Sequence, residues 1–205
     1  MSILFICGYR LSGKSTFSRY LTKEINELSY TIYFRGDKNT PITRIPYLNK
    51  IMRNKHNEIL SFASSLKHKY AQDNNISLQE LNDNKHIHRN AIVALAKEIR
   101  EKDEDYFVND VMTKINNRLK TYIIDDWRYI NELTRFYEER FSSIITMRIF
   151  NSQTPIPDIN TSPEEHYLDN YLTDFVILTQ DTTLEQFYKI FPKYKRCNMI
   201  KIPLL

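Results

Sequence analysis

A run of nine residues near the amino terminus restricts the fold more than any other stretch: Gly8-Tyr9-Arg10-Leu11-Ser12-Gly13-Lys14-Ser15-Thr16. It fits the pattern G-x-x-x-x-G-K-[ST], a loop that holds phosphate groups between a strand and a helix. The chain has only 3 glycines, and two of them stand at the two glycine positions of the pattern. Glycine there lets the backbone turn tightly and approach an anion. The loop amides then converge on phosphate oxygens, helped by the positive end of the following helix. The pattern assigns Gly8, Arg10, Ser12, Gly13, Lys14, Ser15 and Thr16 to phosphate binding. Lys14 is expected to reach the β- and γ-phosphates, and the Ser15 hydroxyl to ligate Mg²⁺. The flanks agree with this reading. Ser2 to Cys7 is a continuous apolar run, as a buried parallel strand requires. Thr16 to Leu28 reads as a helix, with Phe17, Tyr20, Leu21, Ile25 and Leu28 on one stripe.

The rest of the chain continues the alternation. Tyr30–Phe34 reads as a short strand, 35–46 as a loop and Tyr47–Asn57 as a helix. Glu58–Phe62 then forms the next strand, with a helix from Ala63 to Gln72. Residues 30–57 are long for a connection and suggest an inserted element. Helices are expected over Asn84–Lys102 and, after the acidic break at 103–105, over Phe107 to Leu119. Strands over Thr121–Asp125, Ser143–Ile149 and Asp174–Leu178 alternate with helices over Tyr129–Arg140 and Thr183–Phe191. Asp181 or Thr182 is the expected cap of the last helix. Such alternation implies a single α/β domain over 1–205 with a mainly parallel sheet and helices on both faces. Residues 150–170 form a polar stretch with three prolines, read as a lid that orders over bound ligand.

Composition narrows the partners. The net charge is +4, with a pI near 8.9, but the cations are scattered among acids. That distribution suits small phosphorylated ligands and gives no footprint for nucleic acid. No apolar run approaches the roughly 18 residues of a membrane span, and no basic leader precedes the loop. Cys7 and Cys197 form neither a metal spacing nor a disulfide framework, which fits a reduced, cytoplasmic setting.

Further chemistry is expected at Asp125-Asp126-Trp127-Arg128, which follows a strand at the edge where open α/β sheets bind ligands. Asp126 is assigned to the water shell of Mg²⁺ and Asp125 to a supporting role. Arg128 is assigned to the transferring or acceptor phosphate. Lys67 lies on the expected helix that begins at Ala63. Arg89 and Arg100 share a helical stripe about 16 Å apart along the axis, too far to grip one phosphate together. His86, His88 and Glu98 do not make a metal set, because His86 and His88 face different sides of a helix.

Four motifs in order carry a resemblance: the arginine-containing phosphate loop, Phe62-Ala63-Ser64-Ser65-Leu66-Lys67, Arg100-Glu101-Lys102-Asp103-Glu104-Asp105-Tyr106, and Asp126-Trp127-Arg128-Tyr129-Ile130-Asn131-Glu132. As a set they resemble viral-type deoxynucleoside monophosphate kinases. They are also similar to animal-type phosphomevalonate kinases, a likeness that takes in residues 66–71, Arg89 and Leu168-Asp169-Asn170-Tyr171. The resemblance implies ATP and Mg²⁺, catalytic roles for Lys14, Arg128 and Asp126, and acceptor contacts from Lys67, Arg89 and Arg100. The expected acceptor is a deoxynucleoside monophosphate, with phosphomevalonate as the alternative. A nucleotide-triggered binding protein is the reading from another class. A homodimer stays open, and a viral source would set the protein in the host cytoplasm. Two departures stand out. These families often carry Asp where this chain has Ser15, and their lid usually holds basic residues, whereas 150–170 contains no Lys or Arg.

Overall fold

The computed structural model describes residues 1–36, 42–117, 119–139, 141 and 143–202. It divides into two units: Met1–Ile59 with Asn117–Leu205, and Leu60–Asn116. Part of the loop expected over 35–46, and Arg140 at the end of an expected helix, lie outside the described residues.

The first unit is built on strands β1 (Ser2–Cys7), β2 (Tyr30–Arg35), β3 (Asn57–Leu60), β4 (Thr121–Ile124), β5 (Ser143–Phe150), β6 (Phe175–Thr179) and β7 (Met199–Ile202). Among the described residues they form one sheet in the order β3-β4-β1-β5-β6-β2-β7. β1 lies parallel between β4 and β5, with Leu4 level with both Ile123 and Ile145. β5 and β6 are parallel, while β2 runs antiparallel to both β6 and β7. The strand order reverses around β1, so the loop leaving its carboxyl end opens at a switch point, where α/β sheets hold ligands.

Side-chain parity decides which helices cover which face. Leu4 and Ile6 point into a core with Phe17 and Leu21 of α1 (Lys14–Leu21) and Leu48 and Ile51 of α2 (Arg44–Arg53). Phe5 points the other way and meets Trp127 and Phe136 edge-on, Phe136 belonging to α7 (Ile130–Glu138). On the same parity, Val176 and Leu178 pack with Phe187 of α8 (Leu184–Ile190) and with Phe191 and Tyr194. Each fully buried side chain of this size contributes roughly 1.5–3 kcal/mol of transfer free energy. The result is the expected α/β architecture, a mostly parallel sheet with helices around it, compatible with a P-loop kinase-like fold.

The second unit is helical: α3 (Ala63–Asp73), α4 (Leu78–Asp83), α5 (Lys85–Lys102) and α6 (Tyr106–Lys114). Its buried residues include Phe62, Leu66, Ala71, Leu81, Phe107, Val108 and Val111.

Several boundaries differ from the sequence expectation. α1 stops at Leu21 rather than Leu28, because Lys23 turns left-handed at φ 65° and the Glu24 amide bonds back to Arg19. Residue Leu28 still packs on the core without being helical. Leu119 is 86 % exposed and lies beyond α6, which ends at Lys114. Thr183, rather than Asp181 or Thr182, caps α8, its side chain accepting from the Gln186 amide. α4 and β7 were not foreseen. The signal for α4 was present in Ser77-x-x-Glu80, since the Ser77 hydroxyl accepts from the Glu80 amide at 3.1 Å. Residues 30–57 supply β2 and α2 to the sheet unit.

Candidate functional site

The loop expected from the sequence is present between β1 and α1. Gly8 has φ 143° and Gly13 has φ 98°, conformations that favour glycine. A Cβ on Gly8 would collide with the carbonyl oxygen of Ile149, so β5 presses directly against the loop. Gly13 occupies the N-cap position of α1, which has no side-chain cap and no acid in its first turn. The helix therefore offers its first amides without a built-in carboxylate on its own chain segment.

Lys14 is folded back over this loop. Its Nζ donates to the Gly8 carbonyl at 2.6 Å and to the Tyr9 carbonyl at 2.8 Å. Burial, and then the nearby charge of Arg128, lower its pKa to about 8. Ser15 and Thr16 are exposed, whereas Ser12 is buried.

The strand-end acids fall beside the loop. Asp125 follows β4, the parallel neighbour of β1. Burial, and then the charge of Asp126, raise its carboxyl to about 6, while a hydrogen bond from Ser15 and the charge of Lys14 act in the opposite direction. The sequence reading gave the metal to Asp126 and a supporting role to Asp125. Asp125 lies close enough to Ser15 and Lys14 to feel both, while Asp126 adds its charge to the surroundings of both Asp125 and Arg128. Arg128 is held from below by α7: Glu132 Oε2 accepts from the Arg128 amide at 3.0 Å and from the Tyr129 amide at 3.1 Å. Glu132 stands in the first turn of the helix, so a capping contact and a site residue share one carboxylate.

Sequence reasoning missed the acids that face the loop from residues 157–171. Glu165 sits in a short 3-10 turn, Pro163–Glu165, and its carboxylate pairs with Arg128 at 2.7 Å. Asp169 accepts from the Tyr9 hydroxyl at 2.8 Å and contacts His166 Nδ1 at 2.7 Å, while His166 Nε2 meets the Pro157 carbonyl at 2.8 Å. Trp127 and Tyr171 meet edge-on, and Tyr129 lies against Tyr167. The available signal was the departure already noted: a stretch without Lys or Arg that nevertheless carries Glu164, Glu165 and Asp169.

Arg148, on β5 just before this stretch, is buried. It is 1 % exposed, donates to the Leu168 and Tyr171 carbonyls, and lies over the Phe191 ring at 4.4 Å. It works as a buried post for the segment above it.

Beside the loop, a cleft of about 300 Å³ is lined by Gly13, Thr16, Phe17, Asn151, Thr179 and Gln180, among others. It joins the amino end of α1 to the carboxyl ends of β5 and β6. A lining that mixes apolar side chains with the amides of Asn151, Gln153 and Gln180 suits a flat heterocycle.

The three expected acceptor residues lie on the helical unit. Lys67 is half-buried on α3, with Nζ 3.4 Å from Asn82 Oδ1. Arg89 and Arg100 are half-buried on α5, and the Arg100 guanidinium lies 4.6 Å from the Phe107 ring centre. Tyr70 and His88 meet through a 3.1 Å contact, which occupies His88 within this unit.

The metal expectation fits the donors. Among the described residues there is no cluster of three or more His, Cys, Asp or Glu suited to a metal. A nucleotide-bound Mg²⁺ needs no such cluster, since phosphates and waters fill most of its shell. Ser15 with Asp125 behind it meets that requirement.

The loop, the strand order and the strand-end acids are compatible with a P-loop kinase-like fold. A family model described as phosphomevalonate kinase matches residues 45–143, a little under half of the chain. No curated protein matches it. The match covers the whole helical unit, together with β4 and the 125–128 segment, and leaves the phosphate loop outside. It supports a phosphotransferase, and it favours the phosphomevalonate likeness over the nucleotide-kinase one. No helix among the described residues is long and apolar enough to cross a membrane.

Proposed function

We propose that the chain is an ATP-dependent kinase that phosphorylates a small phosphorylated acceptor, with phosphomevalonate as the preferred acceptor. The observation that carries the kinase reading is the loop itself, with Lys14 over its carbonyls and Asp125 within reach of the lysine's charge. The family match supports the acceptor and is independent of the loop, because 8–16 lies outside 45–143. A deoxynucleoside monophosphate, expected first from the sequence, has no such support.

ATP with Mg²⁺ supplies the transferable phosphoryl group and a counter-charge for it. In this reading the loop amides of 10–16 hold the phosphate chain, and Lys14 exchanges its carbonyl partners for phosphate oxygens. That exchange raises the lysine's pKa from about 8, since an anion favours its charged form. Ser15 would ligate the metal, and Asp125 would hold a water of its shell. Arg128 neutralises charge on the transferring group, held in place by Glu132 through its own backbone. Asn151, Thr179 and Gln180 border the cleft that would take the base of ATP. Lys67, Arg89 and Arg100 are the cations proposed for the acceptor. Positioning and charge neutralisation supply most of the rate, and no covalent enzyme intermediate is required.

A coupled ADP-release assay tests the reading with phosphomevalonate, the four deoxynucleoside monophosphates, UMP and CMP at equal concentration. Turnover of phosphomevalonate alone is the expected result. Turnover of a deoxynucleotide alone would return the acceptor to the nucleotide class, and ATP hydrolysis indifferent to every acceptor would favour a nucleotide-triggered binding protein.

A further inference from the structure

Glu165 is separated from the phosphate loop by about 150 residues of chain, yet it bonds to the loop's own backbone. Its Oε2 accepts from the Arg10 amide at 2.9 Å, and its Oε1 lies 2.7 Å from Arg128 Nη1. The side chain is 1 % exposed. One amide of the loop and one guanidinium are the donors that a phosphate oxygen would otherwise recruit here. Lys14 meanwhile points to the Gly8 and Tyr9 carbonyls. The carboxylate and a phosphate cannot share these donors, because two anions at hydrogen-bond distance repel strongly in a buried site.

The segment that carries Glu165 has its own anchors. His166 bridges Asp169 and the Pro157 carbonyl, Asp169 accepts from the Tyr9 hydroxyl, and Tyr167 lies against Tyr129. The glutamate side chain can therefore leave the loop without releasing the whole segment. Its carboxyl is held below the usual range: burial works against this, and the charge and hydrogen bond of Arg128 outweigh it.

Resting on the nucleotide reading of the loop, we infer that Glu165 is a resident phosphate surrogate, which occupies the Arg10 end of the loop in the free protein and is displaced by the polyphosphate of the nucleotide. Binding is then an exchange of one anion for another. Neutralising the cations of the empty loop is one consequence. A second is a threshold: a weak, singly anchored anion such as inorganic phosphate does not displace the carboxylate, whereas a polyphosphate with several loop contacts does.

The test is calorimetric titration of Mg²⁺-free tripolyphosphate, and separately of ATP, into wild type and Glu165→Gln. Glutamine keeps an oxygen for the Arg10 amide and removes the competing charge. The variant should bind both ligands about tenfold more tightly, since its competent state no longer has to be released first. A second measurement uses wild type alone. The ¹³C carboxyl resonance of Glu165, identified by its loss in the variant, should move to the position of an exposed glutamate when tripolyphosphate saturates the protein. That movement supports the inference even if the variant fails to fold. Equal or weaker binding by a folded variant, or a resonance that stays in place at saturation, overturns the surrogate and leaves the loop reading standing. Failure of both folded proteins to bind either polyphosphate overturns the loop reading and the surrogate with it.

Discussion

The surroundings of the 8–16 loop in the sheet unit and the long helix of the helical unit treat their charges in opposite ways. Around the loop the charged groups are sunk among partners: Glu165 and Arg148 are almost fully covered, and Lys14 is held by two carbonyls. In the helical unit, α5 runs for 18 residues and Ala96 is its one buried position. Its ion pairs, such as Lys102 with Glu98 and Lys97 with Glu101, are exposed and spaced one turn apart. Buried charges are tightly defined because a misplaced one costs several kcal/mol, whereas exposed pairs contribute about 1 kcal/mol or less. The contrast suggests a division of labour. On the proposed function, the sheet unit would hold the transferable phosphate and the helical unit would offer cations to the acceptor.

The strongest way to break this comparison is Lys14→Met. It should lower kcat by at least about 100-fold, as loss of a preorganised charge at a developing negative centre does. The folded state should survive, because burial of the ammonium is itself unfavourable. With a folded pKa near 8 against 10.5 for the free side chain, the unfolded chain binds more protons between these values. Wild type should therefore gain about 1–3 kcal/mol on Lys14→Met as pH rises from 7 to 10.5, and lose it as pH falls through 8. Urea unfolding of both proteins across this range checks the sign. A wild type that loses ground on raising the pH would show that Lys14 is not buried as a cation.

Asp125→Asn comes next. It should reduce kcat about tenfold and raise the Mg²⁺ concentration needed for half-activity, with Asp126→Asn having the smaller effect. Magnesium titrations of the two variants decide between the neighbouring acids, and a reversed order would restore the metal to Asp126.

Arg89→Ala and Arg100→Ala probe the other unit. Each should raise the KM for the acceptor by roughly three- to tenfold and leave the Kd for ATP unchanged, since one charge-assisted contact is at stake. A weaker ATP Kd with an unchanged acceptor KM would remove the proposed division between the units. The smallest effect is expected at Glu98→Gln, which breaks an exposed pair with Lys102. Its Tm should match wild type within error, and a clear drop would mean that surface charge on α5 matters more than its exposure suggests.

Local pattern was enough for much of this molecule. The loop at 8–16, the apolar strands β1, β4, β5 and β6, and the long helix α5 were legible because each is written in adjacent residues: glycine spacing, continuous apolar runs and helical periodicity. The parallel character of the central sheet followed from the alternation of strands and helices. What the residues could not announce was pairing at long range. That Asp125 would come within reach of Ser15 and Lys14 depends on how the end of β4 meets α1. That Arg148 would be spent on the Leu168 and Tyr171 carbonyls depends on a segment some 20 residues away folding over it. The sequence alone determined that this chain carries a loop of the phosphate-binding pattern on a mainly parallel sheet. Only the tertiary structure decided that Glu165, in a stretch read as a lid without Lys or Arg, would sit on that loop. The physical reason is that hydrogen bonds and ion pairs act over a few ångströms of space, and chain folding, not spacing along the sequence, sets which groups come within that range.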